Sequence, residues 1–515
     1  MKGFSLITIL TFMPLLGAGL LAGLGRDQRR FARCIGLAFS IAGLVLAVCL
    51  WVKFNSSATH LQFVERHDWI PSIGAEYFVG VDGLGILMVL LTALVTPIAL
   101  LASWGIEEKP HIYFSLMLFL QAGLFGTFTA LNFVHWFFFW ELSLIPAFFL
   151  IKLWGGPQRS AAATQFFIYT MIGSVAMLLS FLAIYQAMDT FDFIKLADKG
   201  RTGELAATLN VKLSLSRNQL PLVIFAGLFL GFAVKVPLIP FHTWLPAAYA
   251  EAPTGTTMML TGLMSKLGVY GFIRILLPFF PEQLRMILTP LLWLAVITII
   301  FSACAAFAQK DLKRTFAYSS INHLGYCLLG VFAFVKFTGN DATCDFEKAA
   351  VMNGVMLQMF NHGLTAPILF CFIGLLEQRS GGLRGLNDFG GLRKVAPVFC
   401  GLMGISIFAS LGLPGLNGFI GEFLIFKGSF PIVTWATALS VIGLLVTAVF
   451  LLTVIQRVFN GPLNAKWAAL RDLTWRERFI VLPATILMFV IGIYPQFLIG
   501  KINATVMQMV DQFKF

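Results

Sequence analysis

The sequence predicts an all-α polytopic membrane protein of about fourteen transmembrane helices, two of them broken. Three observations carry that expectation. Of its 515 residues 58% are hydrophobic and only 12% charged, with 53 phenylalanines, which is more apolar surface than a soluble core can hide. The apolar residues fall in runs of about twenty, set apart by polar or Pro/Gly punctuation. Two of the runs are interrupted by proline and glycine in a similar way.

In chain order the runs lie near 4–24, 32–52, 79–103, 112–130, 132–151, 162–186, 219–241, 254–277, 286–307, 316–336, 350–375, 395–425, 429–456 and 478–500. The first has no strong basic stretch before it and no clear cleavage site, so it reads as a retained helix. Short loops on the cytoplasmic side collect Lys and Arg. Alternate loops hold the groups Arg26–Arg33, Lys310–Arg314, Arg379–Lys394 and Arg471–Arg478, and the other side holds about half as many basic residues. Both termini are therefore expected on the outer face, together with two long connections. Residues 53–78 are polar, and 187–218 are mixed in charge with a polar/apolar alternation from Thr208 to Ser216 that suggests a short strand or hairpin. No linker or low-complexity tract divides the chain, so residues 1–515 are expected to form one membrane domain.

The net charge of +12 is ascribed to loop topology rather than to nucleic-acid binding. The seven cysteines are scattered, with no C-x2-C pair, and signal neither an iron–sulfur cluster nor a zinc site.

The two interruptions are AVKVPLIPFHTWLP, with Pro237 and Pro240, and SLGLPGLNGFIGEF, with Pro414. Proline removes an intrahelical hydrogen bond and glycine tolerates unwound backbone. Non-helical backbone at membrane depth survives only in protein or beside a hydrated cavity. Paired broken helices in two halves of a chain point to a transporter built from repeats, whereas either one alone also reads as a kink in a bundle.

Charge inside lipid is costly and functional by default. Four residues stand out: Glu141 in HWFFFWELSLIPAFFLI, Lys235 beside the first break, Lys266 in MMLTGLMSKLGVYGF and Glu422 just past the second. Opposite signs would let Glu141 and Lys235 pair, either as a pumping element or as a static ion pair that orients two helices. No acid lies at i±3 or i±4 of Lys266. Ser319, His323 and Tyr326 share one helix face, and Gln358, His362 and Thr365 repeat that spacing. Each histidine could be a satisfied core residue, but two such stripes between Lys266 and Glu422 in chain order favour a proton relay. His60, His67 and His111 are expected in loops, and His135 and His242 near helix ends.

The strings GVDGLGILMVLLT, FFFWELSLIPAFFLI, KVPLIPFHTWLP with EAPT following, SKLGVYGFIRI, QKDLKRTFAYSSINHLGY and GFIGEF together resemble the antiporter-like membrane subunits of respiratory complex I. That superfamily also includes Mrp-type cation/proton antiporters and membrane subunits of hydrogenases. The likeness covers nearly the whole chain and is nearest to the M-type branch: Glu422 stands where the L and N types usually have lysine, and no long lateral helix follows.

The resemblance implies fourteen helices, with inverted five-helix repeats at 112–277 and 286–456 and a terminal helix at 478–500. It implies proton-translocation roles for Glu141, Lys235, Lys266, His323, His362 and Glu422. It further implies a non-redox subunit of NADH:quinone oxidoreductase in the inner (cytoplasmic) membrane, its termini periplasmic. NADH, flavin, iron–sulfur clusters and quinone then belong to partner subunits: the other antiporter-like chains and the hydrophilic redox arm. After HTWLP many relatives carry an acid and a histidine where this chain has Ala247 and Tyr249, which leaves the proton uptake route open. Other readings are an Mrp-type Na+/H+ antiporter or hydrogenase subunit, a haem carrier ligated by His323 and His362, and a structural anchor whose charges only fix packing.

Overall fold

A computed structural model describes residues 5–25, 27–212, 219–336, 338 and 342–513. Apolar runs become helices because each backbone donor must find its acceptor inside the same segment. The helices are α1 (Leu6–Ala22), α2 (Arg29–Lys53), α3 (Gly83–Ala102), α4 (Pro110–Thr129), α5 (Phe133–Trp154), α6 (Arg159–Met188), α7 (Phe193–Arg201), α8 (Glu204–Lys212), α9 (Gln219–Lys235) and α10 (Trp244–Glu251). They continue as α11 (Thr254–Phe279), α12 (Leu288–Ala308), α13 (Leu312–Val335), α14 (Ala342–Arg379), α15 (Pro397–Leu411), α16 (Asn417–Ile432), α17 (Thr434–Phe459), α18 (Trp475–Ile493) and α19 (Gln496–Gln512). Among the described residues ten helices are long and apolar enough to cross a membrane, or eleven when α18 and α19, bent by 63°, count as one. Three shorter apolar helices, Leu6–Ala22, Leu220–Lys235 and Pro397–Leu411, lie outside that count. The chain is a multi-pass membrane protein.

Helix α8 replaces the strand expected from Thr208; residues 213–216 of that stretch lie outside the described residues. Leu205 and Leu209 are both fully buried, and their i,i+4 spacing puts them on one helical face, which outweighs the brief alternation. The polar stretch after α2 contains an antiparallel hairpin, β1 (Gln62–Ile70) with β2 (Ala75–Val81). His67 is accordingly in a strand, and His111 in α4, where both were expected in loops. The expected runs 395–425 and 429–456 divide differently: the break falls at 412–416 and α16 runs on to Ile432. The terminal run 478–500 is split before Gln496.

The hairpin ties down the face on which the sequence places both long connections. Glu65 caps the start of α1, accepting from Ile7 N at 2.9 Å and Thr8 N at 3.3 Å. Arg66 pairs with Asp192, next to α7, at 3.0 Å. The opposite end carries an ionic cluster drawn from loops assigned to the inner face. Arg384 contacts Asp311 at 2.6 Å and Glu251 at 3.3 Å, and Lys313 contacts Glu377 at 2.7 Å.

Candidate functional site

The two breaks follow from their prolines. Pro237 cannot give the Ala233 carbonyl its i+4 donor, and Leu238 N takes that acceptor at 2.8 Å. The Val234 carbonyl accepts from Trp244 Nε1 at 3.0 Å, and Ile239 N donates to Thr298 Oγ1 at 3.2 Å. Backbone groups freed at the first break thus find partners within the protein. In the second interruption Gly412 and Gly415 take φ of +77° and +92°, a region open to glycine, and Pro414 stands between them.

Lys235 is the last residue of α9, where free carbonyls suit a cation. It is buried, its Nζ makes no hydrogen bond to described residues, and it lies 4.8 Å from the centre of the Trp140 ring. Glu141, part-buried on α5, is within electrostatic reach but forms no salt bridge with it. The expected Glu141–Lys235 ion pair is thus not a contact in this conformation. Trp140, the residue before Glu141, occupies the ammonium's ring face instead.

The second group of charges is in contact throughout. Lys266 sits on α11 between two π-turns, Leu260–Met264 and Phe272–Leu276. In the first, Ser265 N reaches back to Leu260 O at 3.2 Å. The Thr261 carbonyl, which an α-helix would give to Ser265 N, accepts from Lys266 Nζ and, at 3.1 Å, from Ser265 Oγ. The wider turn thereby supplies an acceptor for a fully buried ammonium. Lys266 Nζ also meets His362 Nδ1 at 2.7 Å. The His362 and His323 rings are 5.2 Å apart between centres. His323 Nδ1 lies 2.9 Å from Glu422 Oε1, and its Nε2 is 3.0 Å from Ser410 Oγ. Gln358 Nε2 donates to Glu422 Oε1 at 2.9 Å. Lys266, His362, His323 and Glu422 therefore form one buried line through α11, α14, α13 and α16. The ring centres are 5.2 Å apart and three of the four ring nitrogens have hydrogen-bond partners, so no slot for a haem exists between His323 and His362. Among the described residues no group of three His, Cys, Asp or Glu side chains could hold a metal ion.

Sequence reasoning missed five participants. Ser410 and Trp140 lie one helix or one residue from flagged positions and carry no charge to flag them. Asn361 and Asn417 join α14 to the start of α16; the polar LN in the second break was their signal. The fifth is Arg274, in the second π-turn of α11, which meets both Asp82 oxygens at 2.7 Å. Asp82 also caps α3, accepting from Leu84 N and Gly85 N. Burial pushes its carboxyl up, but the Arg274 charge and these four hydrogen bonds outweigh that and hold it below the usual carboxylate range. Tyr249, in the stretch that follows the first break, is fully buried beside Ser265 and Thr261.

Comparison with known proteins agrees with the geometry. Residues 130–450 match the family model described as NADH:quinone oxidoreductase/Mrp antiporter, transmembrane. A subunit M of NADH-quinone oxidoreductase from Rhodobacter capsulatus is 33% identical, over 99% of this chain and 97% of its own. Among solved structures, a chain of respiratory complex I from Thermus thermophilus aligns with TM-score 0.84 at 26% identity, covering 98% of this chain and 99% of that one. A chain of the Mrp complex from Dietzia shares the fold, with TM-score 0.83 at 20% identity over 99% of this chain and 100% of its own. The chain belongs to the NADH:quinone oxidoreductase/Mrp antiporter family of membrane proteins.

Proposed function

We propose that this chain is the proton-translocating, non-redox M-type membrane subunit of an NADH:quinone oxidoreductase. The observation that carries the reading is the unbroken line Lys266–His362–His323–Glu422 across the buried centre of the fold. Lysine, imidazole and carboxylate can each take or release a proton, and each here contacts the next. A proton given by Lys266 to His362 Nδ1 frees the proton on the other ring nitrogen. A ring turn or one bridging water then carries it to His323 and on to Glu422. Lys235, held over Trp140 within reach of Glu141, is the group whose displacement alters the field at Lys266. Redox energy to move it comes from partner subunits that hold NADH, flavin, iron–sulfur clusters and quinone. The partners are further antiporter-like membrane chains and the hydrophilic redox arm.

Within this reading the three shorter apolar helices also span. Two of them complete broken helices with α10 and α16, which gives fourteen spans, repeats at 112–277 and 286–456, and a terminal element from 478. Both termini lie on the periplasmic side of the inner membrane, along with the hairpin, and the Arg384 cluster lies inside. Full-length similarity to NADH-quinone oxidoreductase subunits favours redox coupling over an independent Na+/H+ antiporter. Isolation within a flavin-containing complex separates the two.

The test is proton pumping by inverted vesicles carrying Lys235→Ala in intact complex, with assembly and quinone reduction measured in the same sample. Loss of pumping and of coupled reduction in an assembled complex is the expected result. Wild-type levels of both would make the mid-membrane charge structural and defeat the mechanism.

A further inference from the structure

Asn417 opens α16 and is fully buried, as is Asn361 on α14, immediately before His362. The two side chains bridge each other's backbones: Asn361 Nδ2 donates to the Asn417 carbonyl at 2.6 Å, and Asn417 Nδ2 donates to the Asn361 carbonyl at 3.3 Å. Thr365, one turn beyond Asn361, meets the Asn417 amide from the side at 3.3–3.4 Å. The segment behind Asn417 is the interruption with Gly412 and Gly415 at positive φ, and a side chain on Gly415 would meet nothing within 4 Å. The turn of α16 about its axis is therefore left to packing rather than to the loop's own side chains: the Gly415 carbonyl and Leu416 lie against Gly492, and Asn417 lies against Asn361.

The setting of that rotation matters for Glu422. It lies five residues past Asn417, beyond the first turn, where the helix dipole no longer holds a charge in place. Its carboxylate depends on His323 and Gln358, two side chains on different helices. At about 6 Å from the helix axis, a rotation of about 30° carries a side-chain tip about 3 Å, which turns a hydrogen bond into no contact. Close backbone approach leaves little slack in the opposite sense: a Cβ on Gly418 would fall 1.9 Å from the Ala409 carbonyl, and one on Gly421 2.6 Å from Gln358 Oε1.

We propose that Asn361 and Asn417 form a latch that sets the rotation of α16, and so act as positioning residues for proton release from the relay. Because Asn361 adjoins His362, the latch binds the two ends of the handover to one another: the ring that receives from Lys266 and the carboxylate that takes the proton onward. The inference rests on Glu422 being a relay group.

The experiment uses intact complex in membrane vesicles with Asn361→Ala, Asn417→Ala and the double variant. Proton pumping is measured together with labelling of Glu422 by a lipid-soluble carbodiimide, read by mass spectrometry of its peptide. Each single variant is expected to assemble, to lose pumping about fivefold and to label Glu422 faster. The double variant should be no worse than either single one, because the two residues act as a unit. Wild-type labelling and pumping in the single variants overturns the latch. If the asparagine variants do not assemble, Thr365→Val decides: faster labelling with reduced pumping supports the latch, and wild-type behaviour overturns it. Glu422→Gln separates this failure from that of the underlying reading: normal pumping in Glu422→Gln defeats the relay, whereas inactive Glu422→Gln beside normal Asn417→Ala defeats only the latch.

Discussion

The first break and the second solve opposite problems with the same tools. At the first, the charge is on the residue that ends a helix, suited by the helix dipole, resting on an aromatic ring and hydrogen-bonded to nothing described. At the second, the charge lies past the break, beyond the dipole's reach, and is held by two hydrogen bonds from neighbouring helices. A group without directional partners moves at low cost and can respond to a distant event. A group with fixed partners can receive a proton at a defined place. Under the proposed mechanism the difference suits Lys235 to sensing and Glu422 to transfer. Arg274, a part-buried cation, is locked bidentately to Asp82 and represents what a purely structural charge looks like in this fold.

The contrast can be broken most sharply at Lys266, where the two regions meet. Lys266→Ala should lower proton pumping in assembled complex by about 10²-fold or more, the usual contribution of a placed proton-transfer group; pumping near wild type would mean that the line of contacts is not the path. Asp82→Asn neutralises the buried carboxylate that pairs with Arg274 and should cost about 3–5 kcal/mol of stability, seen as a lower unfolding midpoint in detergent. The pH dependence of this loss has a defined sign. A carboxyl held below its usual range contributes stability that is present above the unfolded value of about 4 and disappears as pH falls through the folded one. Wild type and variant should therefore converge on acidification and differ fully at pH 7.

Two smaller effects sharpen the comparison between the breaks. Glu422→Gln replaces a charge-assisted hydrogen bond and should cost about 1.5–3 kcal/mol, whereas Glu141→Gln, which breaks no salt bridge, should leave the unfolding midpoint nearly unchanged. Equal losses would erase the distinction between a held and a free carboxylate. Smallest of all, Trp140→Phe keeps a ring under Lys235 but weakens its negative face, and should change stability by about 1 kcal/mol. Pumping in that variant should remain measurable and shift only modestly.

Much of this was legible in the sequence because lipid leaves little choice. An ionisable residue inside a twenty-residue apolar run announces itself, and Lys235, Lys266, His323, His362 and Glu422 were all found that way. Their contacts were not legible: Lys266 and His362 are 96 positions apart, His323 and Glu422 are 99, and nothing local encodes which helices adjoin. The π-turns of α11 escaped for a different reason. Nearly every residue of that helix is buried, so no apolar stripe exists whose phase could reveal an extra residue per turn. Helix α8 was misread because a nine-residue segment offers too few repeats to tell a period of 2 from one of 3.6. The bend before Gln496 did have a signal, Pro495, but one proline in an apolar run also reads as a kink.

The cap that Glu65 places on α1 also ties the first helix to a later part of the chain. Ser5 supplies no side-chain cap of its own, and the acceptor that completes the first turn comes from 58 residues further along the chain. The amides of Ile7 and Thr8 therefore gain their side-chain acceptor only with the hairpin in place beside them. Helix α1 is thus completed by a segment that follows α2, and the start of α1 and the hairpin share one side of the membrane.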